Sequence, residues 1–339
     1  MKELLNSIHP LDLALKHGLL GEFDQAEKIL NSLSLDDPRV RFNLGWYKMK
    51  DGDLLGGLDY LNAGRFINCF GLPPIHGKLW KNEDLNGKTL LFRCEGGFGD
   101  QIMNIRFVND FKKLGATVIV SCDPLLFKLF SDNGMICIDN DIAERCYYDY
   151  WVPGMSAAFM LGYSYDNLRG ESYLTANKRT LYSKNKNLKV GIRWSGNPQF
   201  EHEQHRRFDP ALMIDLHSVG DITMYSLQRD ENLIYGLPFA DLKDEMKSWT
   251  DTAEIIKGLD LVITSCTSVA HLAGSLGVET WVIVPVLPYY SWVLPGDTSP
   301  WYNTVRLFRQ QTYGKWESVF ENVKKELINK IGETRCDIA

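Results

Sequence analysis

Between the apolar run Leu261–Ile263 and a small-residue helix through Leu272 and Ala273, the segment Thr264 to Ser268 is a turn of hydroxyl and thiol side chains; a second apolar run, Trp281–Val284, follows. A strand, a turn and a helix in that order aim unpaired backbone N–H groups and the positive helix end at one point, where the hydroxyls of Thr267 and Ser268 add donors. That is the chemistry of a phosphate site. An ordinary βαβ unit in which Ser268 caps a helix would read the same way.

Two further segments carry chemistry of complementary kinds. In CEGGFGDQIMNIRF, Cys94 to Phe107, the glycines Gly96, Gly97 and Gly99 precede or surround Asp100 at the start of a helix. Glycine allows close approach of backbone to a ligand, although the spacing is not the GxGxxG of dinucleotide enzymes. A carboxylate at a helix N-terminus stays ionised at neutral pH and accepts only, which suits it to draw a proton from a hydroxyl; the plainer reading of Asp100 is a helix N-cap. In GIRWSGNP, Gly191 to Pro198, a strand ends with Arg193, Ser195 and Asn197, and EHEQHRRF follows with Arg206 and Arg207. Arginine keeps its charge and pairs bidentately with phosphate oxygens, so this cluster suits an anionic leaving group, or else forms a solvated, ion-paired loop.

Other candidates are weaker. His202 and His205 have a spacing that fits a metal on a helix, but no third or fourth ligand is near in sequence, and no metal site is expected. Asp139-Asn140-Asp141 reads as a turn. Tyr289, Tyr290, Trp292 and Trp301 lie among prolines and suit either stacking on a sugar or base or packing of a loop, and Trp301 and Tyr302 are not counted with the site.

The elements that must carry these groups divide the chain. Residues 1–75 read as helical: Leu20, Phe23, Ala26, Ile29 and Leu30 fall at helical spacing around Gly21, and a second pass places Leu44, Trp46 and Tyr47 before Gly52 and Leu54, Leu58 and Leu61 after it. These look like two degenerate tetratricopeptide units of roughly 34 residues, too few to stand as a free solenoid, with a protein-binding groove as one use of them. Residues 76–183 alternate strands (Lys88–Cys94, Thr117–Cys122, Tyr148–Val152) with helices at about 100–114 and 124–130, the pattern of a Rossmann-like half. The charged stretch Tyr182–Leu188 reads as a hinge. A second half, 184–315, has strands at Lys189–Trp194, Ile222–Gln228, the DLVITSC run and TWVIVP, with helices starting near Asp209-Pro210 and Asp251. Residues 316–339 form a terminal helix striped by Trp316, Phe320, Val323, Leu327 and Ile331. The expected fold class is α/β, with two facing Rossmann-like domains and a cleft at their C-terminal strand ends.

A formal net charge of −6 argues against long polyanions such as nucleic acid as partners. No apolar run approaches the roughly 20 residues that cross a bilayer, and MKELLNSIHP lacks the apolar core of a signal peptide, so a cytoplasmic protein with no membrane span is expected. The seven cysteines form no CxxC pair, which indicates neither a disulfide framework nor a zinc site.

CEGGFGDQI, GIRWSGNP with its trailing HRRF, YSLQ, DTAEIIKGLDLVITSCTSVAHLAGSLG and SPWYNTVRLFRQ, in this order, resemble the tetratricopeptide-containing glycosyltransferases related to the bacterial heptosyltransferases (ADP-heptose:LPS heptosyltransferase-like). The resemblance covers most of Leu11 to Leu327. It implies a GT-B fold, a nucleotide-sugar donor held by the C-terminal half as co-substrate with no cofactor, and inversion without metal. Asp100 matches the aspartate of the family's Gly-Asp motif, the implied general base. Arg193, Ser195 and Asn197 match the donor-side loop, Gln228 closes the YSLQ motif, and Thr267, Ser268 and His271 match the phosphate-binding turn and helix. Where these relatives usually have aspartate before the Thr-Ser pair, this chain has Cys266, which removes a charge and an acceptor from the pocket.

The resemblance thus implies transfer of a sugar to the hydroxyl of a glycan, protein or small molecule. Three other readings share parts of the pattern: a transferase acting on modified bases in DNA, a nucleotide-sugar epimerase, and a non-catalytic nucleotide-sugar-binding or scaffold protein working through its helices.

Overall fold

The structure is a computed structural model and describes residues 9–71, 75–183, 187–229, 231 and 238–336. The chain forms two compact units, residues 1–168 with 286–295, and residues 169–285 with 296–339. The expected boundary at 183/184 falls inside the second unit, and 286–295 count with the first. Of the hinge expected at Tyr182–Leu188, residues 184–186 lie outside the described residues.

The first unit opens with helices α1 (Pro10–Leu19), α2 (Phe23–Asn31), α3 (Pro38–Lys50) and α4 (Leu54–Leu61). Proline at the first position fixes the entry of α1 and α3, and Asp37 caps α3 by accepting from the Arg39 N–H at 2.9 Å. Gly21 (φ 80°) and Gly52 (φ 94°) take the left-handed backbone that turns each pair, so the glycine pattern in the sequence marks real turns. Ala14, Ala26, Leu30, Val40, Leu44 and Tyr47 form the core of this helical region. Leu20, expected on the apolar face, instead follows α1 as its C-cap and is 49% exposed.

The same unit contains a four-stranded, fully parallel sheet of order β3-β2-β1-β4, from β1 (Thr89–Arg93), β2 (Thr117–Ser121), β3 (Ile136–Ile138) and β4 (Tyr150–Pro153). Leu90, Leu91 and Phe92 are wholly buried, as a central parallel strand requires. The helix expected over 100–114 is split into α5 (Phe98–Asn104), a 3₁₀ turn at Ile105–Phe107 and α6 (Val108–Lys113), and α7 (Phe127–Asp132) follows β2.

The second unit holds a seven-stranded sheet of order β10-β11-β9-β8-β5-β6-β7. Its strands are β5 (Leu188–Arg193), β6 (Ile222–Ser226), β7 (Ala240–Asp241), β8 (Leu261–Ser265), β9 (Thr280–Val284), β10 (Thr298–Ser299) and β11 (Tyr302–Arg309), all parallel except the β10–β11 pair. Helix α8 (Trp249–Lys257) is capped by Ser248, whose hydroxyl accepts from Asp251 N, so the start sought at Asp251 lies two residues earlier. Helix α9 (Ser268–Ser275) joins β8 to β9. Phe320, Val323, Leu327 and Ile331 of α10 (Glu317–Cys336) bury the expected stripe in a core with Ile192, Trp194, Phe208 and Ile263. Among the described residues no helix is long and apolar enough to cross a membrane.

Each sheet reverses its strand order once, between β1 and β4 in the first and between β5 and β8 in the second. Loops diverge at such a point and leave a crevice beyond the carboxyl ends of the strands, where ligands of open α/β sheets bind.

Candidate functional site

In the first unit the chain leaves β1 through Cys94, Glu95, Gly96 and Gly97 and enters α5. Gly96 has φ 72°, and a Cβ there would stand 2.5 Å from Asp100 Oδ2, so both backbone and space require glycine. Gly97 is the N-cap, Gly99 lies in the first turn, and Asp100 is the third helical residue rather than the cap. Asp100 Oδ2 reaches back to accept from Gly97 N–H at 2.8 Å, the carboxylate half of a capping box to which glycine has no side chain to reciprocate. Its other oxygen, Oδ1, accepts from the hydroxyl of Tyr289 at 2.5 Å. Both residues are half-buried. Burial first, then the charge of Asp100, pushes the Tyr289 phenol well above its ordinary value, so it donates.

Behind this carboxylate lies another that sequence reasoning passed over. Glu95 is 5% exposed and is held bidentately by Arg65, Nε to Oε1 at 2.9 Å and Nη2 to Oε2 at 2.6 Å, while Met155 N–H also donates to Oε2. This pair ties the turn after α4 to the end of β1 and leaves Asp100 as the more accessible acid of the loop.

In the second unit the loops after β5, β6 and β8 converge. Ser195 is wholly buried; its hydroxyl donates to Glu231 at 2.8 Å and accepts from Gln228 Nε2 at 2.8 Å, and its N–H donates to Gln228 Oε1. Glu231 also accepts from the Trp194 indole and pairs with Arg207 at 3.3 Å. Arg193 is buried, with Nη1 on the Leu227 carbonyl at 3.0 Å, so it ties together the ends of β5 and β6. Asn197 is exposed and closes an Asx turn onto Gln199 N–H.

Arg206 reaches the turn after β8. Its Nη1 donates to the Cys266 carbonyl at 2.8 Å, its Nε to Glu203 at 2.6 Å, and its guanidinium lies 4.6 Å from the centre of the Phe200 ring. A Cβ on Gly196 would stand 2.5 Å from Arg206 Nη2 and 3.1 Å from Thr267 Cγ2, so Gly196, Arg206 and Thr267 share one small space. Thr267, not Ser268, is the N-cap of α9, and it makes no side-chain cap bond; Ser268 is the first helical residue and is half-buried. The first turn of α9 thus has no side-chain cap from Thr267 and lies next to an arginine, an arrangement that attracts an anion. His271 lies one turn on, buried, with Nδ1 2.9 Å from the hydroxyl of Tyr302 on β11.

The structure thus gathers Gly96, Gly97, Gly99 and Asp100 in one unit, and Ser195 with Gln228 and Arg206 with Cys266 and Thr267 in the other. Among the described residues no three His, Cys, Asp or Glu side chains converge as a metal set. Besides Glu95, sequence reasoning missed Glu203 and Glu231, and it weighed Tyr289 only for stacking or packing. A signal for Glu203 existed, since it precedes Arg206 by three residues; Tyr289 stands 189 residues from its partner and had none.

No protein-family profile matches the sequence. Protein FlbA of Caulobacter vibrioides is 25% identical over 301 residues, which cover 75% of this chain and 48% of that protein, so the chain spans about half the length of this curated relative. Among solved structures, the iron-containing dodecameric glycosyltransferase TibC of enterotoxigenic E. coli superposes with a TM-score of 0.51 at 11% identity, covering 76% of this chain and 78% of TibC. A second TibC structure, a complex with ADP-D-beta-D-heptose, gives a TM-score of 0.52 at 10% identity, covering 74% and 78%. The glycosyl transferase family 9 protein of Veillonella parvula gives 0.53 at 10% identity, covering 74% of this chain and all of that one. The chain has the GT-B-like fold of the heptosyltransferase-like glycosyltransferases, with one parallel sheet and one parallel but for its β10–β11 edge.

Proposed function

We propose that the protein is an inverting glycosyltransferase that moves a sugar from a nucleoside diphosphate to a hydroxyl acceptor. The observation that carries this reading is that each unit, at its own strand-order reversal, presents a group of a different kind. One holds a carboxylate, Asp100, presented on a glycine loop; the other holds a cationic, donor-rich turn built from Gly196, Arg206, Thr267 and the start of α9.

In the proposed step the acceptor oxygen attacks the anomeric carbon as its proton passes to Asp100. The bond from that carbon to the diphosphate breaks, and the nucleoside diphosphate departs with the electron pair. Arg206, Thr267, Ser268 and the α9 N-terminus stabilise the charge that develops on the leaving group, while Arg193, Ser195 and Gln228 hold the strand ends in place. An ADP-heptose is the first donor to try, because a structural relative has been captured with one. The helix pairs, with left-handed glycines at matching turns, are assigned to the tetratricopeptide class and offer a surface for a protein partner.

The reading is tested with Asp100→Asn. Donors are first ranked by thermal shift, since a ligand that binds only the native form raises its stability. With the best donor, the variant should turn over about 10²- to 10⁴-fold more slowly and bind the donor almost as well. Undiminished turnover removes Asp100 from the reaction.

A further inference from the structure

We infer that Tyr289 is a positioning residue for the reaction, its hydroxyl aiming the Asp100 carboxylate from outside the loop that carries it; this rests on the reading of Asp100 as the base. Each oxygen of Asp100 is gripped, Oδ2 by Gly97 N–H from its own loop and Oδ1 by the Tyr289 hydroxyl from a segment 189 residues away. An ionised carboxylate accepts through both oxygens, so two donors, one on each, fix the plane of the group.

Tyr289 is itself firmly mounted. Its ring lies 4.5 Å from that of Tyr290, which is 3% exposed, and the carbonyl of the preceding Pro288 accepts the indole N–H of Trp46 on α3 at 2.8 Å. The helical region thereby holds the segment that holds the base. A short hydrogen bond to a charged group fixes orientation strongly. Asn104, one turn beyond Asp100, adds to the frame by donating its side chain to the Asp100 carbonyl at 3.0 Å.

Among the described residues Tyr289 and Tyr290 face Asp100, Arg106 acts on Tyr290, and Glu95 in the same loop is neutralised by Arg65. Removing the Tyr289 hydroxyl takes a donor from the ionised form of Asp100 and raises its pKa. The base is then lost at a higher pH.

The experiment compares Tyr289→Phe with the unaltered protein. Turnover should fall by roughly tenfold or more at neutral pH, donor affinity should hold, and the acid limb of the turnover profile should move up by about one pH unit. A residue that only packs would lower activity evenly and leave the limb in place. Carbon-13 NMR of the labelled Asp100 carboxyl, read in the folded protein without substrate, should show the same upward shift. An unmoved acid limb and carboxyl titration, with Asp100→Asn still inactive, overturns the role of Tyr289 and leaves the proposed reaction standing. If Asp100→Asn is fully active, the reaction assigned to Asp100 falls, whatever the titration shows. Trp46→Phe, which keeps an aromatic ring but removes the indole donor to Pro288, should reproduce part of the shift; the full effect of Tyr289→Phe with none from Trp46→Phe would overturn the mounting by the helices.

Discussion

Glu203 holds Arg206 by its Nε at 2.6 Å, and with its other oxygen takes the N–H of Gly196 at 2.5 Å. One buried carboxylate thus joins the loop after β5 to the arginine that reaches the turn after β8. Cys266 brings no charge to this turn, and Glu203 is the acid that faces Arg206 there. Removing one partner of a buried pair leaves the other uncompensated, so Glu203→Ala should cost about 3 kcal/mol in urea unfolding and release Arg206 from its place. Calorimetry with a nucleoside diphosphate should show weaker binding. Equal affinity with lost stability would confine Glu203 to the fold.

Gly96 is the position at which the glycine loop tolerates least. Its φ of 72° costs an L-residue about 1–2 kcal/mol, and the added methyl would meet Asp100 Oδ2 at 2.5 Å. Gly96→Ala should therefore lower stability by about that amount and displace the carboxylate, with a loss of turnover on the order of a hundredfold for a shift near 1 Å. Gly97→Ala makes the control. Gly97 has extended backbone and is exposed, and its substitution should leave turnover within a few-fold. Similar losses in both variants would contradict the distinction.

The parts legible in the sequence were those whose signal is local. β1, β5 and β8 are buried on both faces and read as short apolar runs, and the turns that follow them carry the small, hydroxyl and glycine residues that such a position selects. β3 went unseen because three residues, with Ile136 55% exposed, make no run. β11 went unseen because exposed Asn303 and half-buried Thr304 and Arg306 interrupt its buried Tyr302, Val305, Leu307 and Phe308. The site divided in the same way. Asp100 and Arg206 sit inside motifs, whereas Glu203 lies in a charged run that resembles a solvated face, and Tyr289 becomes intelligible only once the fold brings 286–295 to the first unit.

The crossing of α3 and α4 offers a test of the helical region that does not involve the site. Gly45 and Gly57 face each other, and a Cβ on Gly57 would stand 2.8 Å from the Gly45 carbonyl, a backbone atom that moves only with its helix. Gly57→Ala should destabilise the protein by about 1–3 kcal/mol through overpacking, against the small gain in helix propensity expected at an open position. Because α3 also carries Trp46, the same variant should disturb the Pro288 contact and lower turnover alongside stability. Unchanged stability would show that the helices do not meet as closely as described.

The caps of the same helices predict how this region responds to acid. Asp37 is held at about 2, below its ordinary 3.8, chiefly by the Arg39 side chain and then by the Arg39 N–H; Asp53 is also lowered, first by the Gly56 N–H that it caps. A carboxylate depressed in the folded state stabilises that state wherever it is ionised. The contribution is complete above the ordinary value near 3.8 and is lost as pH falls toward 2, because protonation then favours the unfolded chain. Thermal unfolding followed between pH 5 and roughly 2 should thus show a falling midpoint whose slope is reduced in Asp37→Asn, since the amide still caps α3 but no longer titrates. High salt should flatten the slope further by screening Arg39, which is exposed. An identical slope in the two proteins would mean that the unfolded chain keeps the Asp37–Arg39 pair, and that the cap adds nothing to the pH dependence of the fold.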